Sequence, residues 1–515
     1  MCLFYFLQKS NKMLSLFKRD FTSFLFSEKE EKSKLQALYL FLYLCVFYWF
    51  KITYHEIWKD EWQAWFVARD MSWSEMLGFL YYEGHPSLWY IFLKITTSIK
   101  SVLLPFLSDE IVFQSSHFLL FALLAYFISF KMKFSWLGKI LLLSSFFVGF
   151  EYGMINRGYI LVLLFSFYAV YLATQTEVKS LSLSIVIFLL CQTEVQGVII
   201  ASSILFYLFL KKIQATSIKK TLQTLNYQLY IFSFVLGAIT FVATIFPRGN
   251  QEDLNRAYNS AKQPLNESIM MAFQGLLANT FLIGSTADTN VSGISSIGIL
   301  LSILVLAGLI YFFYSDKKLL YTFLYSFAIF YAFAAFIFVG GVRQWGNFFI
   351  LFALLLYLFQ HEKNILTGAK LLIISVIFLF QMYYNALALY KDAVYPFSNA
   401  KQTAAFLVAQ NIPKQVPIVA INEFETGVLN GYLDRKLYSL PKGETFTYFK
   451  WLSKVYLPSE TELQLFAQFK KVKGLVVVSG VELPTQRYPN LSLKQKYNDY
   501  NIKGEIFYVY TFQVK

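Results

Sequence analysis

The chain has 515 residues, of which 57% are hydrophobic, 20% aromatic and only 15% charged, with a formal net charge of +14. So little charge excludes an ordinary soluble domain, and apolar runs long enough to cross a bilayer recur along most of the length. The surplus lysines sit in short clusters between those runs, as the positive-inside rule produces, so the basic balance does not argue for a nucleic-acid partner.

Residues 1–34 read as a basic, cytoplasmic, partly interfacial lead-in. Lys9, Lys12, Lys18 and Arg19 interrupt its apolar stretch and no small-residue cleavage site follows, so a cleavable signal is not expected. The first span is expected at 35–53, followed by a long polar-aromatic outer loop, 54–111. Within that loop, 87–104 reads as a helix lying on the outer surface with Lys94 and Lys100 at the headgroups. Later spans are expected at 112–130, 138–152, 159–174, 181–193, 196–210, 228–246, 294–314, 319–339, 345–360 and 369–390, about eleven in all. The runs 181–193 and 196–210 are short, which points to a broken or re-entrant pair. After residue 390 the composition turns ordinary. AKQTAAFLVAQ and ETELQLFAQFKK read as helices, and PIVAI, GLVVVSG and EIFYVYTFQV as strands, which predicts a small α/β domain over 391–515.

Orientation follows from the lysines. With the N-terminus inside, Lys131, Lys133, Lys139, Lys179, Lys211, Lys212, Lys219, Lys220, Lys317, Lys318, Lys363 and Lys370 all fall on one side. The short opposite loops EYGMINRG, TEVQG and GGVRQWG carry no lysine. The C-terminal domain is then expected outside, at a plasma membrane such as a bacterial inner membrane.

The other charges concentrate on the outer face: Asp60, Glu61 and Glu83 in the first outer loop, Glu151 and Arg157 in the second, and Glu194 in the third. Arg248, Glu252, Asp253 and Arg256 follow in the fourth and Arg343 in the fifth. Ionisable groups at a membrane boundary are costly unless paired or used. Arginines fork phosphate oxygens and a carboxylate can take a proton from an acceptor, so this set suits a phosphorylated substrate. Trp62, Trp65, Trp89 and Tyr90 read as an interfacial aromatic belt. Cys2, Cys45 and Cys191 are scattered, and the histidines at 55, 85, 117 and 361 form no HExxH pair. No cofactor is indicated, and ligand spacing does not point to a divalent metal.

The sharpest local pattern is Asp60-Glu61-Trp62-Gln63-Ala64-Trp65, followed by Gly84-His85-Pro86-Ser87-Leu88-Trp89-Tyr90. An Asp-Glu pair just past the first span, with a His-Pro stretch after it, resembles the GT-C superfamily of polyprenyl-phosphate-dependent glycosyltransferases. The nearest branches are the family 39-like protein mannosyltransferases and the aminoarabinose transferases. EYGMINRGYIL resembles the second outer loop of that superfamily. The likeness is strongest over the first 210 residues and extends loosely to the end through the span count and the outer C-terminal domain.

The resemblance implies a GT-C-like catalytic module over 35–390. It implies transfer of a sugar from a lipid-phosphate donor to a protein, lipid or glycan acceptor, with inversion. Asp60 takes the role of general base, with Glu61 beside it, while His85, Arg157, Arg248 and Arg343 are candidates to bind the donor phosphate. Ser87 stands where the family pattern usually has a second proline, and Asn156 and Arg157 stand where several members carry an acidic residue. Glu83, Glu151 and Glu194 are the other acidic candidates. A secondary transporter or flippase of a glycolipid or other polar solute is the alternative, although transporters place their substrate groups near the membrane midplane.

Overall fold

A computed structural model describes residues 33–175, 179–246, 264–283, 293–451 and 457–514. The chain is mainly helical because long apolar stretches leave the backbone no polar partner except itself. It opens with α1 (Ser33–Tyr54), followed by α2 (Lys59–Asp70), α3 (Trp73–Glu83) and α4 (Ser87–Leu103). Next come α5 (Asp109–Phe130), the short α6 (Trp136–Leu143), a π-helical turn (Phe146–Glu151), α7 (Tyr159–Ala173) and α8 (Ser180–Cys191). After α9 (Val195–Ile213) and α10 (Leu225–Ile245), α11 (Leu265–Gln274) runs into π-helical Gly275–Ile283. The helical part ends with α12 (Ser296–Phe313), α13 (Lys317–Phe336), α14 (Val342–His361) and α15 (Gly368–Val394).

Among the described residues, eight of these helices are long and apolar enough to cross a membrane: α1, α5, α9, α10, α12, α13, α14 and α15. The other three expected spans are shorter. The 138–152 run is split between α6 and the π-helical turn, 159–174 is the 15-residue α7, and 181–193 is the 12-residue α8. A straight helix of 15 residues rises roughly 22 Å, less than a hydrocarbon core of about 30 Å. The 196–210 run is not short, since α9 extends it to 19 residues. The segment 265–283 was expected inside an outer loop and is helical instead. Its polar residues dilute the hydropathy but are buried and bonded: Thr280 Oγ1 donates to the Gly275 carbonyl at 2.8 Å, and Gln274 Oε1 accepts from Ser295 N at 3.0 Å.

The segment 54–111, expected as an outer loop with one helix at 87–104, folds as three helices, α2, α3 and α4, of which only α4 falls on the expected one. Ser72 and Glu75 cap α3 reciprocally, with Ser72 N donating to Glu75 Oε2 at 2.8 Å and Glu75 N to Ser72 Oγ at 3.3 Å. Gly84 ends α3 in the left-handed region at φ 67°, and Pro86 then leads into α4. The expected aromatic belt is overturned by packing, because an anchor at a bilayer surface must reach that surface. Trp62, Trp65, Trp89 and Tyr90 are all buried in the core.

Two ends of the bundle differ in chemistry. Glu362 accepts from Lys211 at 3.0 Å and from Lys318 at 2.9 Å, and Lys370 donates to Ser315 at 2.6 Å, so lysine-bearing loops gather at the C-terminal end of α14. Arg343 sits at the N-terminal end of the same 20-residue helix.

The C-terminal region forms the expected small α/β domain. After α16 (Ala400–Ala409) come β1 (Ile418–Ala420), β2 (Leu437–Ser439), β3 (Thr445–Phe446), α17 (Glu460–Phe469), β4 (Gly474–Ser479), β5 (Leu491–Tyr497) and β6 (Phe507–Gln513). The sheet order is β3-β2-β1-β4-β6-β5, with β1 parallel to β2 and β4 and the remaining pairs antiparallel. The apolar run of β4 fits its interior place in the sheet. The domain docks on α2 and α3. Gln63 exchanges two hydrogen bonds with the Phe449 backbone, at 2.8 and 3.1 Å, and Tyr432 Oη donates to the Ile57 carbonyl at 2.7 Å.

Candidate functional site

The site forms where the first turn of α2 meets the loop before α7 and the start of α14. Asp60 and Glu61 occupy that first turn, where negative charge suits the helix dipole. The Asp60 carboxylate lies 3.3 Å from Arg157 Nη1 and 3.5 Å from Arg343 Nη1. Arg157 Nη1 also donates to the Asp60 carbonyl at 3.1 Å, which ties the guanidinium to the helix start itself.

Each arginine is held from behind. Arg157 Nη2 lies 3.0 Å from His85 Nε2, and His85 Nδ1 lies 2.9 Å from Glu194. A guanidinium can only donate, so Nε2 is the acceptor and the His85 proton sits on Nδ1, pointing at Glu194. Arg343 Nε donates to Glu151 at 3.0 Å, and its carbonyl accepts from Tyr152 Oη at 2.7 Å. Two chains of contacts therefore end on one carboxylate: Glu194–His85–Arg157–Asp60 and Glu151–Arg343–Asp60. Glu151 and Glu194, read from sequence as stand-ins for a second catalytic carboxylate, each hold a basic residue in place.

Glu61 turns away from this cluster. It is fully buried and accepts from Asn156 N at 2.6 Å, Asn156 Nδ2 at 2.7 Å and Trp58 N at 3.2 Å, with His55 Nε2 at 3.4 Å. Burial opposes its charge, but His55 and the Asn156 backbone outweigh that and hold the carboxyl below its ordinary range. An acidic residue at position 156 would face Glu61 across this contact, so asparagine fits here where a carboxylate would repel. His55 Nδ1 lies 3.0 Å from Asp392 near the end of α15, so one imidazole joins the first and last long apolar helices. Burial disfavours the charged imidazole, yet the two carboxylates prevail and push His55 up to about 9.

Glu83 belongs to a separate cluster. It accepts from Gln63 at 2.7 Å, Tyr90 Oη at 2.9 Å and Trp451 Nε1 of the C-terminal domain at 3.2 Å. Burial raises its pKa in spite of these donors. Its contacts are those of a docking residue between α3, α4 and the C-terminal domain.

Of the residues predicted to act, the structure brings together Asp60, His85, Arg157, Arg343, Glu151 and Glu194. Glu61 lies behind them and Glu83 to one side, while Arg248 lies outside the described residues. Sequence reasoning missed His55, Asp392 and Lys503, a lysine on the turn before β6 that reaches Trp58 beside Asp60. His55 offered a signal, being a histidine just past the first span and six residues before Glu61. Among the described residues, no group of three or more His, Cys, Asp or Glu side chains is arranged to hold a metal ion.

No known family model matches the chain, and no curated protein is similar to it.

Proposed function

We propose that the chain is a membrane glycosyltransferase of the GT-C type. It moves a sugar from a polyprenyl-phosphate donor to a protein, lipid or glycan acceptor on the extracytoplasmic face of a plasma membrane. In this reading the N-terminus is cytoplasmic and the C-terminal domain lies outside. The observation that carries the proposal is the meeting of Arg157 and Arg343 on the Asp60 carboxylate, at the end of α14 away from the lysine-bearing loops.

The chemistry is the one that the GT-C resemblance implies, assigned to these residues. The acceptor hydroxyl or amine attacks the anomeric carbon and gives its proton to Asp60. The bond from that carbon to the phosphate oxygen breaks on the opposite face, so the product is inverted and the polyprenyl phosphate leaves with the electron pair. Arg157 and Arg343 supply donors for the charge that develops on the leaving phosphate. Before the donor arrives these donors face Asp60. A phosphate that takes them over releases the carboxylate towards the acceptor.

The test is transfer from a panel of labelled polyprenyl-phosphate sugars by the purified protein in nanodiscs. Transfer from at least one donor is expected, with a loss of about a hundredfold to ten-thousandfold in Asp60→Asn, which keeps the shape but cannot accept the proton. Label that enters sealed proteoliposomes without transfer, unaffected by Asp60→Asn, would replace this reading with the transporter.

A further inference from the structure

We propose that the C-terminal domain completes the phosphate site: Lys503 stands with Arg157 and Arg343 as a third cation for the phosphate of a polyprenyl carrier. The inference rests on the reading of the protein as a lipid-phosphate-dependent transferase and extends the binding site beyond the residues named there.

Lys503 lies on the turn between β5 and β6, and that turn is rigidly placed. The Asn501 side chain brackets the Glu505 backbone, its Oδ1 accepting from Glu505 N at 2.9 Å and its Nδ2 donating to the Glu505 carbonyl at 3.0 Å. Gly504 supplies the left-handed residue between them, at φ 65°. Ile502 N and Lys503 N donate to the carbonyls of Pro396 and Phe397, each at 3.0 Å, which fixes the turn to the segment leaving α15. Glu505 accepts from Ser398 Oγ at 2.5 Å on the same segment.

From this base the Lys503 side chain crosses to the membrane part of the protein. Its Nζ lies 4.8 Å from the centre of the Trp58 ring and 5.0 Å from that of Phe397. The Arg343 guanidinium lies 5.5 Å from the same Trp58 ring. All three distances are within cation–π range. Trp58 immediately precedes α2, whose first turn carries Asp60, so one cation from the start of α14 and one from the C-terminal domain share one indole beside the candidate base. Burial and the charge of Arg343 hold the Lys503 ammonium below its ordinary range, against the support of Glu151, Asp60 and Glu61. Bringing like charges together costs energy, and an anion between them recovers it.

The reaction supplies a reason for the extra cation. A polyprenyl-phosphate sugar is a phosphodiester with one negative charge, and the departing polyprenyl phosphate is a monoester that carries a second. Arg157 and Arg343 already face Asp60 and Glu151, so a further cation favours the more highly charged leaving group over the bound donor.

The experiment uses the full chain in phosphatidylcholine nanodiscs, with a long-chain radiolabelled polyprenyl phosphate as probe and inorganic phosphate as a parallel probe. Lys503→Met keeps an apolar stem against Trp58 and Phe397 without the charge, and Lys503→Arg restores the charge. Affinity for the polyprenyl phosphate, counted per folded protein, is expected to fall about tenfold or more in Lys503→Met, the effect of losing one charge-assisted hydrogen bond, and to recover in Lys503→Arg. The melting temperature without lipid is expected to change little. If Lys503→Met lowers only the melting temperature, Lys503 is a docking residue and the proposal is overturned. If it weakens inorganic phosphate but leaves polyprenyl phosphate unchanged, the lipid assignment is overturned. Wild-type protein that binds no polyprenyl phosphate removes the transferase reading as well, whereas wild-type binding with an unaffected Lys503→Met removes this inference alone.

Discussion

Asp60 and Glu61 are adjacent in the chain but serve different environments: the Asp60 side chain is 18% exposed between two arginines, and that of Glu61 is 0% exposed between His55 and Asn156. An acceptor can reach the first and not the second. Glu61→Gln is therefore expected to act on stability, by about 1–3 kcal/mol for disturbing a buried acceptor. Asp60→Asn is expected to slow transfer by about a hundredfold to ten-thousandfold with a smaller change in stability. Thermal unfolding in detergent, read beside turnover, separates the two. An Asp60→Asn protein with normal turnover beside a well-folded but inactive Glu61→Gln would move the base by one position.

Arg157 and Arg343 each use two faces of the guanidinium. Arg157 spans Asp60 and His85, and Arg343 spans Asp60 and Glu151. Lysine keeps the charge but not the fork. Arg157→Lys and Arg343→Lys are each expected to weaken donor use by about tenfold or more, a loss on the scale of one charge-assisted hydrogen bond, seen as a higher donor concentration at half-maximal rate. Normal donor titrations for both would place phosphate recognition elsewhere, and Arg248→Lys would be the next variant to measure.

His55 predicts a pH dependence. Its pKa is pushed up to about 9 in the folded protein by Asp392 and Glu61, against about 6.5 when unfolded. The folded state holds the proton more tightly, so its contribution is complete below about pH 6.5 and is lost as pH rises through about 9. Glu505, pushed up to about 7 by burial, adds a loss over a lower window, between about pH 4.5 and 7. The melting temperature should fall from about pH 7 to pH 10 in the wild type, and the fall should be shallower in His55→Gln. Equal slopes would show that His55 does not carry this dependence.

One glycine lies at a close approach of the C-terminal domain to α2. A Cβ at Gly431 would collide with the buried Trp62 indole, which also packs edge-on against Tyr432 at 5.6 Å. Gly431→Ala is expected to cost about 1–3 kcal/mol of overpacking and to loosen the domain from α2. Limited proteolysis should then cut between α15 and the sheet faster than in wild type. An unchanged cleavage rate would mean that the interface gives way without cost.

Much of the architecture is legible in the sequence because its causes are local. A run of apolar residues needs only its own backbone bonds to become a helix, so α1, α5, α9, α10 and α12 to α15 follow from composition and length. The alternation of apolar runs and turn residues after position 390 likewise marks β1, β4 and β6, while the very short β2 and β3 and the polar edge strand β5 leave little local signal. Polar helices escaped that reading where buried contacts outweigh hydropathy, as in α2 and in Leu265–Ile283. The candidate site divides in the same way. Asp60, Glu61 and His85 stand out as a local motif, and the arginines of the lysine-free loops as a class. Only the tertiary structure decides that Arg157 and Arg343 meet at Asp60, that Glu61 is taken by His55 and Asn156, and that Lys503 of the C-terminal domain reaches Trp58. Apart from His55 and Glu61, these partners lie far apart in the chain, and their pairing is set by packing between helices, which hydropathy and residue spacing do not encode.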